Sequence, residues 1–165
     1  MKILVPLRQV PDLVEDLEVD DSGTRLDFDS IKTKLNEFDD HALEEALQLK
    51  EAGGGHEVIA VAVEGDGADR QLFTALAKGA DRAVMLTGAD PNADNHVLGG
   101  AFAKGASSLG ADLVLVGVQA PGDLDGQLAP IMAAHMNAPC VNVVTGLSLA
   151  GSVATFRKEY SGGVM

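Results

Sequence analysis

Apolar positions along the chain follow two different periods. Residues 2–7 (KILVPL), 57–63 (EVIAVAV), 82–88 (RAVMLTG) and 112–117 (DLVLVG) are short, nearly unbroken aliphatic runs. Runs of that length and continuity suit strands buried on both faces. Helical spacing fills the gaps between them, at 70–80 (RQLFTALAKGA), 95–110 (NHVLGGAFAKGASSLG) and around APIMAAHM at 129–136. The clearest helix is NEFDDHALEEALQLKEAGGG at 36–55, with Asn36 and Asp39 as candidate N-caps, acids in the first turn, Ala42, Leu43, Ala46, Leu47 and Leu49 near helical spacing, and closing glycines. Such alternation predicts an α/β domain with a parallel sheet and right-handed crossovers.

Two stretches depart from this rhythm. In 14–30 (VEDLEVDDSGTRLDFDS), Leu17, Val19, Leu26 and Phe28 alternate with polar residues about a DDSG turn, which predicts a β-hairpin inserted after the first strand. After Pro139, 140–149 (CVNVVTGLSL) and 153–160 (VATFRKEY) predict two further strands, and the pattern then stops abruptly in SGGVM. That stop predicts a longer protein. No linker or fixed-period repeat divides the chain, so 1–165 is expected to form one domain.

Composition narrows the function classes. Twelve basic residues against 25 acidic ones give a formal charge of −13, which repels nucleic acid and anionic lipid surfaces. Cys140 is alone and cannot form an internal disulfide, no leader-like segment precedes the first strand, and no apolar run approaches the roughly 20 residues of a membrane span. A reducing cytoplasm is the expected compartment. His41, His56, His96 and His135 are widely spaced with no Cys or carboxylate at ligand spacing, so no metal site is expected. Cys140, at the start of an apolar run, is expected to be a buried thiol rather than a nucleophile, and no GxSxG, P-loop or HExxH segment suggests an enzyme. GDGADR at 65–70 has the position of a phosphate loop but lacks a third glycine, and a simple strand-to-helix turn explains it better.

The loop after the fourth strand is better placed. GVQAPGDLDGQLAP holds Asp123 and Asp125 and no Lys or Arg, yet main-chain N–H groups at a helix start can take an anion, and Gln and Asp can bond ribose or an adenine edge. In an open parallel sheet the loops after Val5, Val63 and Val116 converge at the carboxyl edge. A nucleotide of low charge, such as AMP or the adenylate end of a larger cofactor, fits such a loop better than a triphosphate with metal. An ordinary connecting loop remains the alternative.

Taken together, these segments are familiar. KILVPLRQVPD, NEFDDHALEEALQLKE, EVIAVAV with TALAKGADRAV, VLVGVQAPGDLDGQLAPIMAAHMNAP and FRKEYSGGV resemble, in one order through nearly the whole chain, the β subunit of electron transfer flavoproteins. The resemblance implies a doubly wound fold of adenine nucleotide alpha hydrolase-like topology, with helices on both faces of a mostly parallel sheet. It also implies a non-enzymatic electron-carrier subunit that pairs with an α subunit, serves flavin-dependent dehydrogenases and shares an FAD with the α subunit. AMP is the expected structural nucleotide, with a second FAD in the same pocket as the bifurcating alternative. Carried over by position, the pocket residues are Pro6 after the first strand, Asn36, Phe38, Asp39, Val63, and from the loop Gly117, Gln119, Ala120, Asp123, Asp125, Gly126, Gln127 and Leu128.

Departures from the family pattern bear on that pocket. Gly126, Gln127 and Leu128 stand where AMP-binding members have Asn-Gln-Thr, and Glu37 replaces the usual Pro. A stress-protein-like ATP-binding domain of similar topology would need a Gly-Ser or Gly-Thr pair after Gly117, which this loop lacks. A small-molecule hydrolase would need a base among Asp123, Asp125 and His135 with an orienting partner, and the sequence shows none.

Overall fold

The computed structural model describes residues 1–165 apart from 15, 29, 124, 152 and 165. In chain order the elements are β1 (Lys2–Leu7), β2 (Gln9–Pro11), β3 (Thr33–Leu35), α1 (Glu37–Leu49), β4 (Glu57–Val63), α2 (Ala68–Lys78) and β5 (Arg82–Leu86). They continue through α3 (Asn95–Leu109), β6 (Leu113–Val114), α4 (Leu128–Met136), β7 (Val144–Ala150), β8 (Val153–Tyr160) and β9 (Gly163–Val164).

The four aliphatic runs form one sheet in the order β5-β4-β1-β6, every pair parallel. Alternation along the strands then divides the core in two, because successive side chains leave a strand on opposite faces. Ile3, Val5 and Leu7 of β1, with Val58, Ala60 and Ala62 of β4, meet Leu43, Ala46 and Leu47 of α1 and Leu72 and Ala75 of α2. Leu4, Ile59, Val61 and Val63 face the other way, onto Leu98, Phe102 and Ala106 of α3 and Leu128 and Met132 of α4. The sheet is doubly wound, as the family resemblance implies.

Several sequence expectations are redrawn. Pro6 lies inside β1, in register with Val61, rather than after the strand. Leu4 O, which accepts from Leu115 N, faces β6, and two residues on Pro6 faces the same edge past the last β6 pairing at Leu4. A residue without an N–H is tolerated where the ladder has ended. Asn36 holds the N-cap position of α1 but makes no side-chain cap bond, and Asp39 lies within the helix. Among the described residues, the expected 14–30 hairpin survives as the antiparallel bridge Val19↔Leu26 around the turn. Leu13, Val14, Leu17 and Val19 are exposed with no sheet to lie on, and regular pairing occurs instead at the base of the arm, between β2 and β3. The strand expected from 112 is reduced to Leu113–Val114 at the sheet edge. That expected from 140 begins at Val144, and Cys140 is exposed rather than buried, because 138–143 runs outside both cores. β7, β8 and β9 form a separate antiparallel sheet whose Leu147 and Leu149 lean on the α1 side of the core.

Candidate functional site

From β1 the chain steps outward through β4 to β5, then returns to place β6 on the opposite side of β1. The order therefore reverses between β1 and β6, which makes their carboxyl ends the switch point of the sheet. Arg8 follows β1 and Gly117 follows β6, so the switch point brings together residues more than a hundred positions apart.

Arg8 fills this point. Its Nε and Nη2 donate to the two carboxylate oxygens of Asp39, at 3.0 and 2.8 Å, and its main-chain N donates to Asp39 Oδ2 at 2.9 Å. Nη1 reaches Asp123 Oδ2 at 3.4 Å and Nη2 also donates to Gly117 O at 3.3 Å. Asp39 is 0% exposed, Asp123 6% and Arg8 7%. The planar guanidinium suits this work, since its fork meets a carboxylate through two parallel bonds. One side chain thus joins β1, the first turn of α1 and the loop after β6. It also explains how a loop with aspartates and no cation of its own folds: the charge comes from the first strand.

The loop has a defined shape. Asp123 N donates to Ala120 O (2.8 Å) and Gly126 N to Asp123 O (3.3 Å), while Asp123 Oδ1 accepts from Gln127 N (3.1 Å) at the start of α4. Gly126 has φ +62°, and a Cβ there would lie 2.6 Å from Val118 O. At Gly117 the constraint is contact alone, since a Cβ would fall 2.1 Å from Asp39 Oδ1. Asn36, 2% exposed, directs Nδ2 at Gln119 O (2.9 Å), so both α1 residues first read as caps instead fasten the loop.

Asn36, Asp39, Gly117, Gln119, Ala120 and Asp123 therefore converge, and Val63 lines a hollow beside Arg8. Phe38 does not join them; it is 39% exposed and meets the His41 ring edge-on. Asp125 and Gln127 are exposed and bond each other, and Leu128 is turned into the α3–α4 core. Residue 124, within the loop, lies outside the described residues.

Two site residues were not singled out from the sequence. Arg8 carried a signal, being the one cation directly after a buried parallel strand. Gln71 carried none. It is 6% exposed on α2, and neither Nε2 nor Oε1 has a hydrogen-bond partner among the described residues. It lines the hollow of about 20 Å³ shared with Arg8, Gln9 and Val63, and also a larger cleft of about 440 Å³ between α2 and the β2–β3 arm.

The reversed strand order and the loop pinned at its carboxyl edge define a doubly wound α/β domain. Comparison with known proteins gives the family. The electron transfer flavoprotein domain matches residues 25–165, and the chain belongs to that family. It is 36% identical over 169 residues to the electron transfer flavoprotein subunit beta of Methylophilus methylotrophus, covering 100% of this chain and 64% of that protein. It is 36% identical over 168 residues to the same subunit of Clostridium acetobutylicum, covering 99% of this chain and 62% of that protein. With the Sus scrofa subunit it shares 32% over 169 residues, covering 99% of this chain and 66% of that one. The chain thus spans somewhat under two thirds of the first two relatives. Among the described residues, no helix is long and apolar enough to cross a membrane.

Proposed function

We propose that this chain is the nucleotide-binding part of an electron transfer flavoprotein beta subunit. In this reading it is a non-enzymatic partner of an alpha subunit, and the pair carries electrons from flavin-dependent dehydrogenases to a downstream acceptor. The FAD is shared with the alpha subunit, and AMP occupies the carboxyl-edge pocket of this chain. The observation that carries the reading is the Arg8 lock, which organises a loop at the β1/β6 switch point in a chain of that family.

The donor set suits a ligand with a single phosphate. Arg8 is committed to Asp39 and Asp123, and the loop 117–128 contains no other cation, so anion recognition falls to main-chain N–H groups. Even these are few, since Pro130 has none and that of Gln127 is held by Asp123. A second or third phosphate would add charge that nothing in the loop offsets. AMP has no redox chemistry and supplies only structure. The chain's own residues do the rest: Asn36 and Arg8 fix the loop in place through its carbonyls, and Gly117 and Gly126 allow its backbone to pass close to α1 and to itself.

The test is to express the protein with and without an alpha subunit, denature it with acid, and identify the released nucleotide by chromatography and mass. AMP release and a yellow complex with the alpha subunit are expected. FAD released from this chain alone would replace the AMP assignment with a second redox centre. Absence of both nucleotide and association would overturn the proposal.

A further inference from the structure

The 440 Å³ cleft between the first turns of α2 and the β2–β3 arm lies on the opposite side of β1 from the loop 117–128. We infer that this cleft is a second small-molecule site, for a planar heterocycle with an adjacent donor and acceptor joined to an anionic group; it does not rest on the nucleotide reading of the loop. Gln71 carries the inference. An amide with both polar atoms buried and unpartnered costs free energy in the folded chain, unlike a paired one. Its donor and acceptor lie side by side, the complement of an adenine edge.

The surroundings match the remaining parts of such a ligand. Phe28, Ile31 and Leu35 of the arm give the cleft an apolar wall for a ring. Lys32, Lys34, Arg70 and Asp66 supply the charged groups among its described lining residues. Lys34 is paired with Asp12 at 2.9 Å, which leaves Arg70, on the exposed side of α2, as the nearer match for an anion. The volume falls within the roughly 300–1,000 Å³ of small-molecule pockets. Gln9 lines both the hollow and the cleft, its Oε1 accepting a long 3.5 Å contact from Thr33 Oγ1. It is the side chain that turns aside for a ligand to reach the Gln71 amide.

The experiment is a titration of the ¹⁵N-labelled full chain with AMP, following the side-chain NH₂ groups of Gln71 and Gln9 and the main-chain amides of Ile31, Gly67 and Thr74, beside those of Gly126 and Gln127. Saturable shifts at the first set are expected. Gln71→Leu should weaken this binding roughly 5- to 150-fold, the worth of one amide–base pair, while leaving thermal stability of the free chain equal or higher. Arg70→Gln, at an exposed position, should weaken AMP and leave adenosine unchanged. Equal AMP affinity in Gln71→Leu overturns the site, as does failure of Arg70→Gln to separate AMP from adenosine. Shifts confined to the 117–128 loop also overturn it while leaving the loop's nucleotide reading intact, and no shift anywhere overturns both.

Discussion

Removing the Arg8 side chain tests the central claim about the switch point. In Arg8→Met the aliphatic stem is kept and the charge lost. Among the described residues, Asp39, 0% exposed, then keeps the main-chain N–H of residue 8, and Asp123, 6% exposed, keeps Gln127 N. Breaking a buried ion pair from one side leaves an uncompensated charge and costs about 3–5 kcal/mol. Against a total stability of roughly 5–15 kcal/mol that is a large fraction. For a chain of this size it corresponds to a fall in Tm of roughly 6–20 °C. The assay is urea unfolding followed by far-UV circular dichroism, since the chain has no Trp. A double-mutant cycle with Asp39→Asn adds the decisive comparison. The double variant should be less destabilised than the sum of the single ones by about 1–3 kcal/mol, because no buried carboxylate at 39 remains. A loss below about 1 kcal/mol for Arg8→Met, the size of a surface pair, or strict additivity in the cycle, would refute the claim.

Other outcomes follow from single contacts. Gly117→Ala should cost about 1–3 kcal/mol by overpacking, seen as a lower urea midpoint with unchanged slope, because a Cβ there would meet Asp39 Oδ1 at 2.1 Å. Asp81 titrates below its ordinary 3.8, held down chiefly by the Lys50 ammonium (2.7 Å) and then by Val58 N. Its contribution is therefore complete above that value and lost as pH falls through the lowered one, so carboxyl NMR should place its midpoint under 3.8 and Asp81→Asn should flatten the acid limb of the stability profile. Partial burial pushes the Cys140 thiol above its ordinary 9.0, so alkylation at neutral pH should be slower than for a free cysteine and should accelerate only on the alkaline side of that value.

The parallel sheet was legible because burial on both faces forces continuous aliphatic runs, and 57–63 became β4 with the expected bounds. Layer assignment followed from alternation within those runs. Pieces that depend on partners were harder to read. The arm at 14–30 alternates as a hairpin should, yet Leu17 and Val19 are exposed and the described residues form the one bridge Val19↔Leu26. Asp39 has the sequence position of a cap, and only the approach of Arg8 from 31 residues away gives it another task. Gln71 sits in an amphipathic helix pattern in which any polar residue reads as solvent-facing; its burial is set by the arm and by Gln9, which local sequence does not encode.

The lock on the 117–128 loop is fastened largely from outside it. Of its three anchors among the described residues, Arg8, directly after β1, and Asn36, at the cap of α1, lie outside it, and Asp123 is the loop's own. The side chains of Asp125 and Gln127 at the exposed rim are thus released from folding duty. A scaffold arranged in this way separates holding a loop from choosing what it meets. Descendants of such a chain can exchange one ligand for another by rewriting a few rim residues, while selection on stability acts on the strand and helix that do the fastening.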